Sequence, residues 1–586
     1  MKGSLLAIAV LCLSGYSFAQ TAQTSYRMTL GEEIKLKKGT ADLDIVTADN
    51  TGLYFTESRV KMTGYFVIGA SYGTSIKLMK LDKNFAGVFD KEYKRELKGL
   101  DFQSFQTLGN DLYLFATDYQ KKEKLFNVYG AKVDKMTGEL AGDFMELGSY
   151  QLESKKDDYA MKVSPVLNGT AFLMVSNISG KEKVTLGVHL LDKTLKRKES
   201  AIIDLSLAPD NYTLQDVQYT KNNKIVLLGK EFVETQYGKK KRKRLVFKQY
   251  LMGIYNSDGK KETDVAMDAD NRYIISGKLI EQPTGEMLLA GFYSDAAGKG
   301  DLNGFYINKV DPEKGTLLLS SYKEINSGML GKGFIDETDD DDKSRQEKQQ
   351  AKKAKEEEEE EEFPNSFIIK SVSINPADNS IVITSEVSKY AHYSYTTSNY
   401  NNATRNWSTT TTNVHRFTNE DVLVINADKD GNIKWLNVLP KSQVEEVRTS
   451  NTSHSRIYMG GGNFNSGMTD YFATAGGMPY YSSFSSVINN NSLVLILNDH
   501  TSNNVNAEYG DKVKSVSNFR RKSNVYGISI DLASGKMTRK LIGSNDEETI
   551  LMPRHAFAVK NELFIPSWRQ HVMAKTELRF AKIVVK

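Results

Sequence analysis

A tight-turn landmark recurs along this chain of 586 residues. Alternating segments end in Asp82-Lys83-Asn84, Asp134–Gly138 (DKMTG), Asp192-Lys193-Thr194, Asp258-Gly259, Asp311–Gly315 (DPEKG), Asp428–Gly431 (DKDG) and Asp531–Gly535 (DLASG). Successive landmark Asp residues stand 52, 58, 66, 53, 117 and 103 positions apart. The first four gaps sit near one period of about 50–60 residues, and the last two are that period plus an insertion. No other feature restricts the fold as strongly, because a fixed period demands a repeating supersecondary unit.

The unit has a second mark. Strongly apolar segments recur at Tyr65–Ser71, Leu112–Asp118, Ala171–Asn177, Ile225–Glu231, Met287–Tyr293, Ile381–Val387, Leu493–Asp499 and Leu563–Trp568. All but the first follow an Asn, Asp or Gly turn, such as Asn168-Gly169 or Asn489-Asn490-Asn491. Those residues tolerate the positive φ of a tight hairpin. Each unit therefore reads as four short antiparallel strands. An all-β propeller of seven or eight four-stranded blades is expected, with eight preferred. His555–Lys586 supplies only three strands, whereas Tyr26–Leu36 resembles a fourth strand with no predecessors. The N-terminal strand is expected to complete the last blade, so that no edge stays open. The count falls to seven if the region Asp42–Arg59 is misread.

The period and hairpin chemistry resemble bacterial secreted β-propellers of the kelch-like or quinoprotein-like kind, over most of residues 25–586. Regular Gly-Gly doublets, a Trp-Asp ending and a repeated Trp docking motif are all absent. The resemblance therefore implies a fold and carries over no functional residue.

Residues 1–19 read as a signal peptide. Lys2 precedes the apolar run Leu5–Leu13, and Ser17-Phe18-Ala19 offers small residues before a cut. Leu11 stands before Cys12 where a lipoprotein signal would place a small residue. The single cysteine should leave with the signal, which excludes a disulfide framework or a cysteine metal site. Residues 20–586 are expected to form one exported domain, periplasmic or extracellular, with no transmembrane anchor.

Alternation of strand direction puts connections between strands one and two, and three and four, on one face. All of these are short. Every long segment belongs to the other face: Glu231–Leu245, a charged insertion at about 330–363, and loops at 388–420, 444–483 and 500–523. Asp336–Glu362 holds fourteen acidic and six basic residues, and is expected to be disordered or at most a frayed helix. The net charge of +4 therefore hides a split. Without that segment and Lys2, the body carries +11.

The loops hold the candidate ligand face. Tyr393, Tyr395, Tyr400, Trp407, Tyr480 and Tyr481 lie among amides and hydroxyls, a composition suited to stacking sugar rings or peptides. His415 is another candidate. Lys239 and Arg242, within Lys239–Arg244, offer contact to an anionic polymer. No nucleic-acid partner is expected for an exported chain. No His-x-His or His-x-x-x-His pair, nucleophile elbow or phosphate loop occurs. No cofactor or metal site is therefore assigned. The expected function is noncatalytic binding of a glycan, peptide or protein on the elaborated face. Two alternatives are a carbohydrate-active hydrolase or lyase working in the central funnel, and a scaffold of a cell-envelope complex.

Overall fold

The computed structural model describes residues 24–36, 40–63, 71–207, 209–237, 242–265, 272–295, 302–325, 334–335, 347–353, 367–401, 406–449, 479–504, 508, 510–545, 550–569 and 577–586. The proposed signal peptide, residues 1–19, lies outside them. Among the described residues no helix is long and apolar enough to cross a membrane.

The chain is a β-propeller in architecture. Among the described residues it forms eight antiparallel sheets of four or more strands, seven of them built in chain order. Units one to five start with the strands Thr40–Asp49, Asp101–Leu108, Asp158–Val166, Tyr212–Tyr219 and Tyr273–Glu281. Units six to eight start with Phe367–Ile374, Phe484–Asn489 and Phe557–Val559. These first strands lie innermost. Thr40–Asp49 touches both Phe557–Val559 and Asp101–Leu108, and Tyr273–Glu281 lies between Tyr212–Tyr219 and Phe367–Ile374.

Apolar cores lie between consecutive sheets. Tyr113 and Phe115 of unit two pack with Phe172 and Met174 of unit three. Leu53 and Phe55 of unit one pack with Leu578 and Phe580 of unit eight. The last unit consists of Phe557–Val559, Glu562–Arg569 and Glu577–Val585, to which Tyr26–Leu30 adds the fourth strand. That pairing runs from Tyr26↔Val585 to Leu30↔Ala581. Ser25 and Lys586 extend it by exchanging backbone hydrogen bonds of 3.0 and 2.9 Å. A Cβ on Gly527 of unit seven would collide with the Tyr26 ring, so the bare backbone there admits the N-terminal tyrosine.

The turns show why the period was visible. The Asp82 carboxylate accepts the N–H groups of Asn84 and Ala86, both at 2.8 Å. Asp428 does the same for Asp430 and Asn432, both at 2.9 Å. In unit four the capping residue is Asn256 rather than Asp258, accepting from Asp258 and Lys260 at 3.1 and 2.8 Å. An Asn side-chain oxygen satisfies the same donors as an Asp, so the landmark drifts by two positions. The left-handed turn position is glycine in five of these turns, whereas Phe85 and Leu195 adopt φ of 64° and 62°. Both side chains are buried in inter-sheet cores, and that burial offsets the backbone strain.

Unit one departs from the expected register. Its second strand is Gly52–Thr63, and Ser71 opens the third strand, Ser71–Leu81. Tyr65 and its neighbours to residue 70 lie outside the described residues. The overlooked turn is Asp49–Gly52, without an Asn-Gly pair, closed by Asp49 accepting the Thr51 N–H and hydroxyl, both at 2.7 Å. Gly52 has φ of 144°, and a Cβ there would strike the Leu81 carbonyl.

Candidate functional site

The two faces differ as the strand directions require. Strands one and two of unit two are joined through Gly109 and Asn110 alone. On the opposite face stand the connections around units six and seven. The segment 388–420 is not a loop, however. It is a hairpin extension of two long strands, Ile381–Asn401 and Asn406–Ala427, paired out to Asn401↔Asn406. Gln443–Thr449 joins Asn413–Asn419 as a third strand. The physical reason is composition: runs of Thr, Tyr and Ser fit a pleated surface as readily as a loop. The 444–483 segment thus begins as strand, and residues 450–478 lie outside the described residues. The 500–523 segment carries short elements, including Thr501–Asn503 and Phe519–Lys522. Val513–Lys514 pairs in parallel with Phe334–Ile335 of the charged insertion.

Two candidate tyrosines are internal. Tyr393 and Tyr395 are buried with Val414, and Ala351 packs against them. Ala351 belongs to residues 347–353, which form a helix. Glu347 is buried and meets Arg448 at 2.7 Å. This part of the charged insertion is therefore ordered and tethered, because a carboxylate buried beside a guanidinium has a partner that a free acidic run lacks. Arg416 meets Glu446 at 3.1 Å on the same side of the sheet.

Tyr480 and Tyr481 are partly buried against the core of units one and eight. Their backbone N–H groups, with that of Ser482, donate to the buried Glu445 carboxylate at 2.7–2.9 Å. Their backbone thus fastens a connection. Tyr400 and Trp407 are opposed near the tip of the extension, with side chains outside the description. Arg242 opens a strand opposite Tyr237, its side chain likewise undescribed. Lys239 lies outside the described residues. His415 is half-buried and stands directly opposite His392.

The base of the extension is held by buried charge. The Lys441 ammonium donates to Glu386 at 2.8 Å, to the Gln443 side chain at 2.9 Å and to the Asn419 carbonyl at 3.0 Å. Lys441 and Glu386 have no exposed side-chain surface. Ser483 donates its hydroxyl to Glu386 and its N–H to Gln443, both at 2.6 Å. Gln443 then reaches the Asn498 carbonyl of unit seven at 2.5 Å, and Asn498 donates to the Leu551 carbonyl at 2.7 Å. Burial opposes ionisation of Glu386, but Lys441 and Lys370 hold its carboxyl below the usual range. At Glu445 burial prevails over the three N–H donors, and its carboxyl is pushed up.

The first strands carry further charges, and Asp216 feels both Lys278 and Lys162. Asp44, Lys162, Asp216, Lys278 and Lys370 occupy the first strands of units one, three, four, five and six. Five first strands carry register shifts, at Thr40/Asp42 and Ile45/Thr47, Phe102/Ser104, Leu214/Asp216, Ile274/Ser276 and Ile369/Ser371, and four of these strands bear the named charges. Bulges re-aim side chains and are common beside functional sites. Asp44 is exposed, yet the surrounding protein raises its carboxyl to about 6. Burial raises Asp216 as well, against the pull of Lys278 and Lys162, and its carboxylate accepts the Leu279 N–H at 3.1 Å. Burial pushes the Lys370 amine down to about 8, against the pull of Glu386. Nearby His555 is lowered to about 4 by burial and by Arg554, and bonds the Pro479 carbonyl at 3.0 Å. The sequence carried a trace of this group: a charged residue is set among apolar ones, as in Met161-Lys162-Val163 and Ile369-Lys370.

The plain face also has a cleft of about 460 Å³, where turns of units one and eight meet, lined by Asp49, Asp82, Lys83, Lys560, Phe564 and Lys582 among others.

No family model matches the chain, and no curated protein matches it. Solved structures do. The β-propeller domain of the Trilobed protease from Pyrococcus furiosus is 10% identical, over 71% of this chain and 96% of that one, with a TM-score of 0.29. The polysaccharide lyase Uly1 is 7% identical, over 95% and 99%, with a TM-score of 0.32. A protein of unknown function from Bacteroides caccae is 8% identical, over 68% and 93%, with a TM-score of 0.26. Likenesses this distant leave the activity of the present chain untouched.

Proposed function

We propose that this chain is an exported, noncatalytic β-propeller that binds a glycan, peptide or protein partner on the face carrying its long connections. One observation carries the reading: the sixth unit's extension is raised as a three-stranded platform and fixed at its base by the buried Lys441–Glu386 pair and its hydrogen-bonded neighbours. Buried ion pairs add little net stability over apolar packing, so their use here favours a defined geometry. A mere decoration needs none.

A truncation tests the reading. Tyr390 and Phe417 are directly opposed, so an Asn-Gly turn can replace residues 391–416 without changing register. The variant should keep its thermal unfolding within a few degrees and lose at least about tenfold in affinity for a ligand found on a glycan or peptide array, a loss of 1.4 kcal/mol. Unchanged affinity refutes the reading.

A second reading has its own support. Asp44 and Asp216 are innermost carboxylates whose acidity is weakened, Asp216 by burial and the exposed Asp44 by the protein around it, which is the condition of a general acid. Turnover of any polysaccharide that Asp44→Asn or Asp216→Asn abolishes would replace the binding reading with a carbohydrate-active enzyme.

A further inference from the structure

We propose that His392 and His415 form a two-histidine chelate for a late first-row divalent cation such as Zn²⁺ or Cu²⁺. Sequence spacing conceals the pair, because the residues stand on different strands of the extension. The register places them directly opposite each other, and their ring centroids lie 4.8 Å apart. Two imidazole nitrogens bound to one Zn²⁺ at about 2.0–2.1 Å stand about 3.3 Å apart in a tetrahedral arrangement, within reach of rings so placed.

The site is supported from behind. The Tyr390 hydroxyl lies 2.8 Å from His415 Nδ1. With the Nδ1–H donated to that hydroxyl, Nε2 is the unprotonated nitrogen that a metal requires, and the ring orientation is fixed. Tyr390 stacks on His415 at 6.1 Å and 19°, and packs on Phe417 at 5.3 Å. His392 is exposed, so an ion reaches the pair from water. Among the described residues no three His, Cys, Asp or Glu side chains gather for a metal. Imidazole donors select Zn²⁺, Cu²⁺ or Ni²⁺ over Mg²⁺ and Ca²⁺. A bound ion would cross-link the two strands of the platform near its middle, and this holds whether or not the platform binds a partner.

The test uses the mature chain without a histidine tag. Titration calorimetry with Zn²⁺ should give one equivalent, and Mg²⁺ should give none. The paramagnetic resonance spectrum of the one-equivalent Cu²⁺ complex should show coupling to two imidazole nitrogens. His392→Ala, at an exposed position, should weaken binding at least about tenfold, and Tyr390→Phe about tenfold through the lost orienting partner. His415→Gln should abolish the second nitrogen coupling. Wild-type affinity in His392→Ala, coupling to fewer than two nitrogens, or equal binding of Mg²⁺ overturns the proposal.

Discussion

Units three and six share the same four-stranded meander and are stabilised differently. Unit three is held by apolar side chains on both faces, with Leu173, Val175, Leu186 and Val188 toward unit four and Phe172, Met174 and Leu191 toward unit two. Its longest strands have nine residues. Unit six reaches 21 and 22 residues in its middle strands, and places Glu386, Lys441, Gln443 and Asn419 in full burial at the root of that extension. Apolar cores tolerate small errors gradually, whereas a buried charge stripped of its partner is costly at once. The elaborated side should thus be the brittle side.

The strongest test of that contrast is Lys441→Met. It leaves Glu386 buried with only Lys370 at 3.4 Å and Ser483 for company. A loss of about 3–5 kcal/mol is expected by urea denaturation, and Lys441→Met with Glu386→Gln should recover a large part of it. Leu173→Ala in unit three should cost about 2–5 kcal/mol with no such rescue available. Equal behaviour of the single and double variants would erase the distinction between the two units.

Acid provides the next largest effect, again on the elaborated side. His555 titrates at about 4 in the folded chain, below its ordinary 6.5. The unfolded chain therefore binds more protons between these values, so stability rises with pH there. It is fully present above 6.5 and is lost as pH falls through 4. The contribution is at most about 3 kcal/mol. His555→Gln should flatten the slope of stability between pH 6.5 and 4, and an unchanged slope would show that this histidine is not the linked group.

The repeated units were legible because their information is local. An Asp, or in unit four Asn256, caps each landmark turn within four residues, and each mainly apolar strand segment spans only six or seven residues. The misread first unit fails for the same reason: the Asp49–Gly52 turn works through one aspartate and an unusual glycine, with no doublet to notice. The hairpin extension was misassigned because Tyr, Thr and Ser serve loops and strands alike. The site chemistry was less legible still. His392 and His415 are 23 positions apart in the chain and meet only through register. Lys441 and Glu386 are separated by 55 positions, and Asn498 by as many again from Gln443. Such networks have no period.

The plain face should behave uniformly, which sharpens the contrast from the other side. Asp192 of unit three and Asp428 of unit six cap equivalent turns, with Asp192 accepting the N–H groups of Thr194 and Lys196 at 2.7 and 3.1 Å. Asp192→Ala and Asp428→Ala should each cost about 1 kcal/mol in urea denaturation. A much larger loss in unit six would mean that its fragility spreads to both faces.

Asp44 should give the smallest effect, with the opposite sign to His555. Its carboxyl titrates at about 6 when folded, above the ordinary 3.8, because enclosure by the inner strands disfavours its charge. The stability tied to its protonated form is complete below 3.8 and is lost as pH rises through 6. The side chain is exposed, so solvent screening reduces the penalty to a fraction of the nominal shift. Asp44→Asn should raise the thermal midpoint slightly at pH 7.5 and leave it unchanged at pH 3.5. A carboxylate retained on an innermost strand against its own stability is better suited to contacting a ligand than to holding the sheets together. A variant no more stable at pH 7.5 than the parent would remove that argument, and with it the support Asp44 lends to a catalytic reading.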